Sequence, residues 1–251
     1  MDTNPRVFRS PLTVLGAFIG IALVIAALVG AYTFYRIQLY GGSLSVTGSA
    51  KTRVTSDQVK WTMNISRQIS ASALKSGYDQ LSGDLARVTN FFASHGIATT
   101  SLAIAPVSVD EVYDYSYKSD PSVSREKQYS LRQLITYTSN DVQGVTILAK
   151  EATDLVRDGV IFQSAGLEYS YSKLSQLRVA LLADAIRDAK ARAEKLAEPS
   201  GQTVGALRSA SLGVVQVLAP NSIDVSDYGM YDTSSIDKDV MVTVRAAFAI
   251  R

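Results

Sequence analysis

The chain contains no cysteine and a single histidine, His95, among 251 residues. Without cysteine there can be no disulfide, thiolate zinc site, iron–sulfur cluster or cysteine nucleophile. One histidine rules out a paired-imidazole metal site and leaves almost no room for a Ser–His–Asp triad. The sequence also lacks an excess of either charge, with 25 Lys+Arg against 23 Asp+Glu. No strand–glycine loop–helix unit of the phosphate-binding kind is present. Apolar residues make up 47% of the chain, enough to bury a core, so disorder is excluded as the dominant state.

What is present is concentrated at the N-terminus. Leu12–Ala31 reads LTVLGAFIGIALVIAALVGA, without a charge. At 1.5 Å per residue it matches the roughly 30 Å hydrocarbon core of a bilayer. Tyr32, Phe34 and Tyr35 form an aromatic belt at its end, and Arg36 closes the span. Leu12, Phe18, Ile21, Val24, Leu28, Tyr32 and Tyr35 are read as membrane-anchoring residues. Arg6 and Arg9 before the run place the N-terminus in the cytoplasm and the remainder across the inner membrane, in the periplasm or outside. Val29-Gly30-Ala31 resembles a signal-peptide cleavage site, but the apolar run exceeds an ordinary signal core, so an uncleaved signal anchor is expected. The domains read as a cytoplasmic tail (1–11), an anchor (12–35), a linker (36–42) and an exported domain (43–251). The first forty residues hold Arg6, Arg9 and Arg36 against Asp2, leaving 22 charges of each sign beyond them. The basic balance therefore belongs to the membrane flank and argues against nucleic acid as a partner.

Beyond the joint at Gly41-Gly42, strand and helix patterns mix. Leu44 to Val46 starts a strand, and Val59, Trp61, Met63 and Ile65 alternate with polar residues in the next. Leu74, Tyr78, Leu81, Leu85, Val88 and Phe92 mark one helical stripe, stopped at Gly96. Thr100–Tyr117 reads as a strand broken at Pro106, and Tyr129, Leu131, Gln133, Ile135 and Tyr137 alternate in its partner. Asn140 or Asp141 caps a helix burying Val145, Leu148, Ala152 and Leu155, followed by Gly159. A strand over Val160–Tyr171 precedes a helix over Leu174–Glu198, expected to bury Leu174, Leu177, Leu181, Ala185, Ala189 and Leu196. Strands over Leu207–Leu218 and Asp239–Ile250 close the pattern, giving the order ββαββαβαββ. The fold class is α+β: a mostly antiparallel sheet with helices on one face, preceded by one transmembrane helix.

Three stretches carry a family resemblance: LSVTGSAKTRVTSDQVKWTMNI, LARVTNFFASHGIATTSLAIAPV and ALLADAIRDAKARAEKLAEPSGQTVG. From Ser43 to Val217 the chain resembles the SIMPL domain family, a group of bacterial periplasmic oxidative-stress and immunogenic proteins. The third stretch is similar to the family's alanine-rich helix, with Ala185, Ala189, Ala193 and Ala197 before a glycine turn. The resemblance implies an exported protein whose relatives in some cases form large hollow homo-oligomers. It carries no established catalytic residues.

Few residues stand out chemically. His95 falls at the end of the first exported helix, where capping of free carbonyls outweighs catalysis or metal binding. Asp224, Asp227, Asp232, Asp237 and Asp239 lie in one polar loop (221–239), read as solvated, with an oxygen-ligated cation as the alternative. Asp110, Glu111 and Asp114 accompany Tyr113, Tyr115 and Tyr117 in a hairpin, where acid–base work is a minor reading. Tyr113, Tyr115, Tyr117, Tyr129 and Tyr137 are candidates either for an interface or for packing on the domain's own core. No catalytic, cofactor or metal residue is assigned, and no enzyme activity is expected. The expected function is a membrane-anchored envelope domain that self-assembles into a homo-oligomer with a structural role. The expected contacts are strand edges and the tyrosine hairpin. The alternative is a ligand-binding or sensing module in envelope or oxidative-stress defence. The expected partners are copies of the chain itself and the lipid bilayer.

Overall fold

The computed structural model describes residues 11–40, 42–112, 127–222 and 228–251. In chain order the elements are α1 (Pro11–Tyr40), β1 (Ser43–Thr55), β2 (Gln58–Ser70), α2 (Leu74–Ser94), β3 (Leu102–Ile104), β4 (Ser108–Val112) and β5 (Gln128–Ser139). There follow α3 (Val142–Glu151), α4 (Asp154–Arg157), β6 (Phe162–Ser170), α5 (Leu174–Ala197), β7 (Val204–Leu212), β8 (Gln216–Leu218) and β9 (Asp237–Ile250). The class is α+β with antiparallel sheets, as the alternation of patterns predicts. The chain is not one unit, however. Of the described residues, those within 1–50, 180–213 and 242–251 form the first compact unit, and those within 51–179 and 214–241 the second.

In the first unit α1 continues through the segment read as a linker to Tyr40. Its sheet places β9 between β1 and β7. Val242, Val244, Ala246 and Phe248 bury the face that the strict alternation of β9 predicts. Against it α5 buries Leu181, Ala185, Ala189, Ala193 and Ala197. That stripe corrects the expectation for Leu196, which is 61% exposed. The reason is proximity. At Gly48 an added Cβ would lie 2.2 Å from the Ala185 carbonyl oxygen and 2.7 Å from the Ala189 Cβ, so only small residues fit at steps of four. Gly201, at φ +67°, ends the turn that follows.

In the second unit the sheet order is β3-β5-β2-β6, with β4 also pairing β5 beyond the break at Pro106. Val59, Trp61, Met63 and Ile65 are wholly buried beneath α2 and α3, both on this one face. The register slips opposite Thr62/Met63, where Gly166 takes φ +112°. The slip brings Ser164 Oγ to 2.9 Å from Trp61 Nε1, which donates to it, so the buried indole is satisfied.

The stripe on α2 differs from its expectation. Gly77, Leu81, Asp84, Val88 and Phe92 are buried, whereas Leu74 and Tyr78 are exposed at 36% and 39%. The cause is again a close approach: a Cβ at Gly77 would meet Ile69 at 2.5 Å. Asp141 caps α3 by accepting from Gly144 N at 2.9 Å. The expected single helix breaks after Glu151, where the N–H groups of Thr153, Leu155 and Val156 donate to carbonyls three residues back instead of four. The expected strand over Leu207–Leu218 is likewise two strands, β7 and β8.

Candidate functional surfaces

Among the described residues one helix is long and apolar enough to cross a membrane, Val14–Tyr35, and none of it is buried. Phe18, Ile21, Val24, Leu28, Tyr32 and Tyr35 are each exposed by more than half. Leu12 lies on the same helix, with its side chain outside the described set. Thr33 would be an isolated polar group in lipid, but its hydroxyl donates to the Val29 carbonyl at 2.8 Å. Away from its ends a continuous helix pairs its backbone groups internally, which suits this segment to a bilayer and leaves its apolar surface unexplained in water.

The acidic loop is held by donors supplied by the protein. Asp239 is 1% exposed and accepts from Arg53 Nε at 2.8 Å, Lys51 Nζ at 2.8 Å and Asn221 N at 3.1 Å. Hydrogen bonds from Arg53 and then Lys51 hold its carboxyl far below the ordinary range. Asp232 accepts from Ser234 N (3.0 Å), Ser235 N (3.2 Å) and both serine hydroxyls. Burial pushes that carboxyl up, but these bonds outweigh it and hold it well below its usual value. Lys238 is fully buried, donating to the carbonyls of Asp232 (2.5 Å) and Ser235 (2.8 Å), and burial lowers its pKa. Asp237 accepts from Thr55 Oγ1 at 2.8 Å. The three aspartates thus serve three separate local networks. Among the described residues no three His, Cys, Asp or Glu side chains gather as a metal would require. Asp224 and Asp227 lie outside the described residues.

His95 stands at the C-cap of α2, as its position predicts. Its Nδ1 is 2.8 Å from the Phe91 carbonyl, and its Nε2 is 3.1 Å from a Glu151 carboxylate oxygen on α3. The pair rims a groove of about 350 Å³ that Asp141 also lines.

The tyrosines divide. Tyr137 is 9% exposed, with its ring edge-on to Phe92 at 5.6 Å, and so packs on the core rather than offering a surface. Tyr129 is half-buried opposite Glu111, which pairs with Lys127 at 3.2 Å. Asp110 is exposed on β4. Tyr113, Asp114, Tyr115 and Tyr117 lie outside the described residues.

Three features escape a pattern reading. The first is Asp84, with no exposed surface, bound by Arg67 at 2.5 and 2.7 Å and by Arg87 at 2.8 Å. A charge in the middle of an apolar stripe is visible in the sequence only as an interruption. The second is the outer face of the five-stranded sheet. There Asn64, Arg132 and Gln163 line an open groove of about 800 Å³ beside Pro106. The third is the contrast between the two edges of the first unit's sheet. On β1 the Ser49 N–H donates to Asp188 of α5 at 2.8 Å, whereas β7 is exposed from Ala206 through Leu212.

Among curated proteins, none matches the chain. The family description "SIMPL: Protein of unknown function (DUF541)" matches residues 44–248, which draw on both compact units, and the chain belongs to that family.

Proposed function

We propose that the chain is a non-enzymatic envelope protein. In this reading α1 anchors it in the inner membrane and the SIMPL domain, on the periplasmic side, self-assembles into a homo-oligomer with a scaffolding role. The SIMPL domain and the N-terminal apolar helix fit a membrane-anchored envelope protein. The observation that carries self-assembly is the place of β7 at the end of its sheet among the described residues, with seven consecutive exposed residues from Ala206 to Leu212. Leu207 and Leu212 are 44% and 56% exposed there. A strand at a sheet edge can extend the sheet by pairing with a strand of another copy. Anchoring raises the local concentration of copies, so a modest edge contact suffices. The native mass of the detergent-solubilised full chain tests this reading. A multimer that dissociates when Leu207 and Ala210 are replaced by Lys supports it, and a monomer across micromolar concentrations overturns it. Protease added to spheroplasts tests the topology: the domain should be digested and α1 should remain with the membrane.

A second reading has its own observation. Arg132 sits in the groove of the second unit with Asn64 and Gln163, and its Nε donates only weakly, to Ser130 at 3.3 Å. A guanidinium beside amide groups suits a small anionic ligand, as a binding or sensing module would need. Ligand retained on native purification and lost with Arg132→Gln would favour this reading over scaffolding.

A further inference from the structure

The sheet of the first unit begins almost where the apolar helix ends. The candidate span closes at Tyr35 and α1 runs on to Tyr40, and the Gly42 carbonyl already accepts from Ile250 N at 3.3 Å. Five more helical residues rise about 7.5 Å, and two extended residues add at most about 7 Å. With α1 across a bilayer, Gly42 then lies within about 15 Å of the hydrocarbon edge, and headgroups fill roughly 5–8 Å of that distance. The rest of this end of the sheet is tied to Gly42. Arg251 and Thr203 exchange backbone hydrogen bonds of 3.0 and 2.8 Å, and Gln202 N donates to the Ala197 carbonyl at 3.3 Å. The last turn of α5 is therefore fixed at the membrane-proximal end.

That turn presents Arg192, Lys195, Leu196 and Pro199 at helical spacings of three and four, which place them on one face. Leu196 is 61% exposed and shares a shallow groove with Arg192, Lys195, Val46 and Thr47. Asp188 and Glu198 pair with the two cations at 2.8 and 3.0 Å, so the face is close to neutral. An exposed leucine framed by two long cationic side chains matches a lipid interface. The apolar group enters at the depth of the acyl carbonyls, and the cations snorkel to the phosphates.

We propose that this face of α5, centred on Leu196, rests on the same bilayer that α1 spans and fixes the stance of the first unit above it. The inference rests on α1 being a membrane span. Weak contacts suffice, because the tether holds the face at high effective concentration over the lipid.

The absence of cysteine makes single-site labelling direct. The full chain carrying Val24→Cys, Leu196→Cys or Ala183→Cys is labelled with nitrobenzoxadiazole in phosphatidylethanolamine–phosphatidylglycerol vesicles. Ala183 is exposed on the same helix, thirteen residues before Leu196 and about 20 Å along its axis. The Val24 label should be quenched by lipid spin-labelled deep in the chain and the Leu196 label by lipid spin-labelled near the headgroup. The Ala183 label should respond to neither. Aqueous iodide should quench the Leu196 label at least about twofold less than the Ala183 label. A Leu196 label that behaves like Ala183 while Val24 is quenched overturns the surface contact and leaves the span intact. A Val24 label untouched by either lipid overturns the span and the contact with it.

Discussion

Asp84→Asn should weaken the second unit more than any surface substitution, and the geometry sets the size. Asp84 has no exposed surface and receives three charge-assisted hydrogen bonds, two from Arg67 and one from Arg87. Asparagine keeps the shape but removes the charge, leaving the Arg67 side chain, 22% exposed, without its counter-ion. Breaking a buried pair in this way costs about 3–5 kcal/mol. Arg67 keeps a bond to the Gly159 carbonyl at 2.9 Å and Arg87 is half in solvent, so the low end, about 3 kcal/mol, is expected. Trp61, the only tryptophan and wholly buried in the same core, reports the transition by fluorescence. With a urea slope of about 2–3 kcal/mol/M, the midpoint should fall by about 1–1.5 M. Removing both sides of the pair, as Asp84→Leu with Arg67→Met, should recover most of the loss, since an apolar replacement strands no charge. A midpoint shift below about 0.3 M for Asp84→Asn would refute the reasoning, because the carboxylate would then be exchanging its partners for water at little cost.

Other consequences are as direct. Gly48→Ala should cost about 1–3 kcal/mol by forcing α5 off the sheet, read as a lower thermal midpoint of the first unit; an unchanged midpoint would mean the approach is slack. Asp232 and Asp239 are held below the ordinary carboxylate pKa, so their contribution is fully present above about pH 4 and is lost as pH falls further. Urea midpoints between pH 3 and 7 should therefore drop at the acid end, and Asp239→Asn should flatten that limb; parallel curves would contradict the assignment. Ala22→Arg with Val24→Arg adds about 2.5–3.5 kcal/mol per charge to insertion and should leave the chain extractable by carbonate.

How much of this was readable beforehand follows from the range of the forces involved. The alternation in β9 and β2 is local, and Val240 to Phe248 and Val59 to Ile65 are buried as that period requires. The Asp141 cap and the Gly96 and Gly201 stops are local as well, with both glycines at positive φ. The α2 and α5 stripes failed at Leu74, Tyr78 and Leu196, because a helix meets a sheet where backbones can approach. That point is set by Gly77 against Ile69 and by Gly48 against Ala185. Neither glycine is marked by periodicity. The partition into two units was equally hidden, since its borders fall inside continuous elements such as β9. For the surfaces, the apolar helix was evident from composition, and His95 from position. Asp84 and the groove at Arg132 depend on partners far apart in sequence, which no window of neighbouring residues contains.

The two edges of the first sheet lead to a final test. β1 would be as sticky as β7 if its N–H groups faced solvent, but Asp188 reaches from α5 to take the Ser49 N–H at 2.8 Å. That bond, followed by the pairing with Arg192, holds the Asp188 carboxyl below its ordinary value. A carboxylate across a strand edge both satisfies the donor and repels an incoming carbonyl row, a device against edge pairing. Ala206–Leu212 of β7 are exposed instead, so in the self-assembly proposed above association should be directional, using β7 and sparing β1. Asp188→Ala removes the guard. A charge-assisted hydrogen bond contributes about 1.5–3 kcal/mol when dry, and with the carboxylate one-third exposed about 1 kcal/mol is expected here. Amide exchange at Ser49 should then quicken by about fivefold, and the native mass should spread toward larger, open-ended species as a second edge becomes available. Unchanged exchange at Ser49 together with an unchanged mass distribution would show that β1 is protected by something other than Asp188.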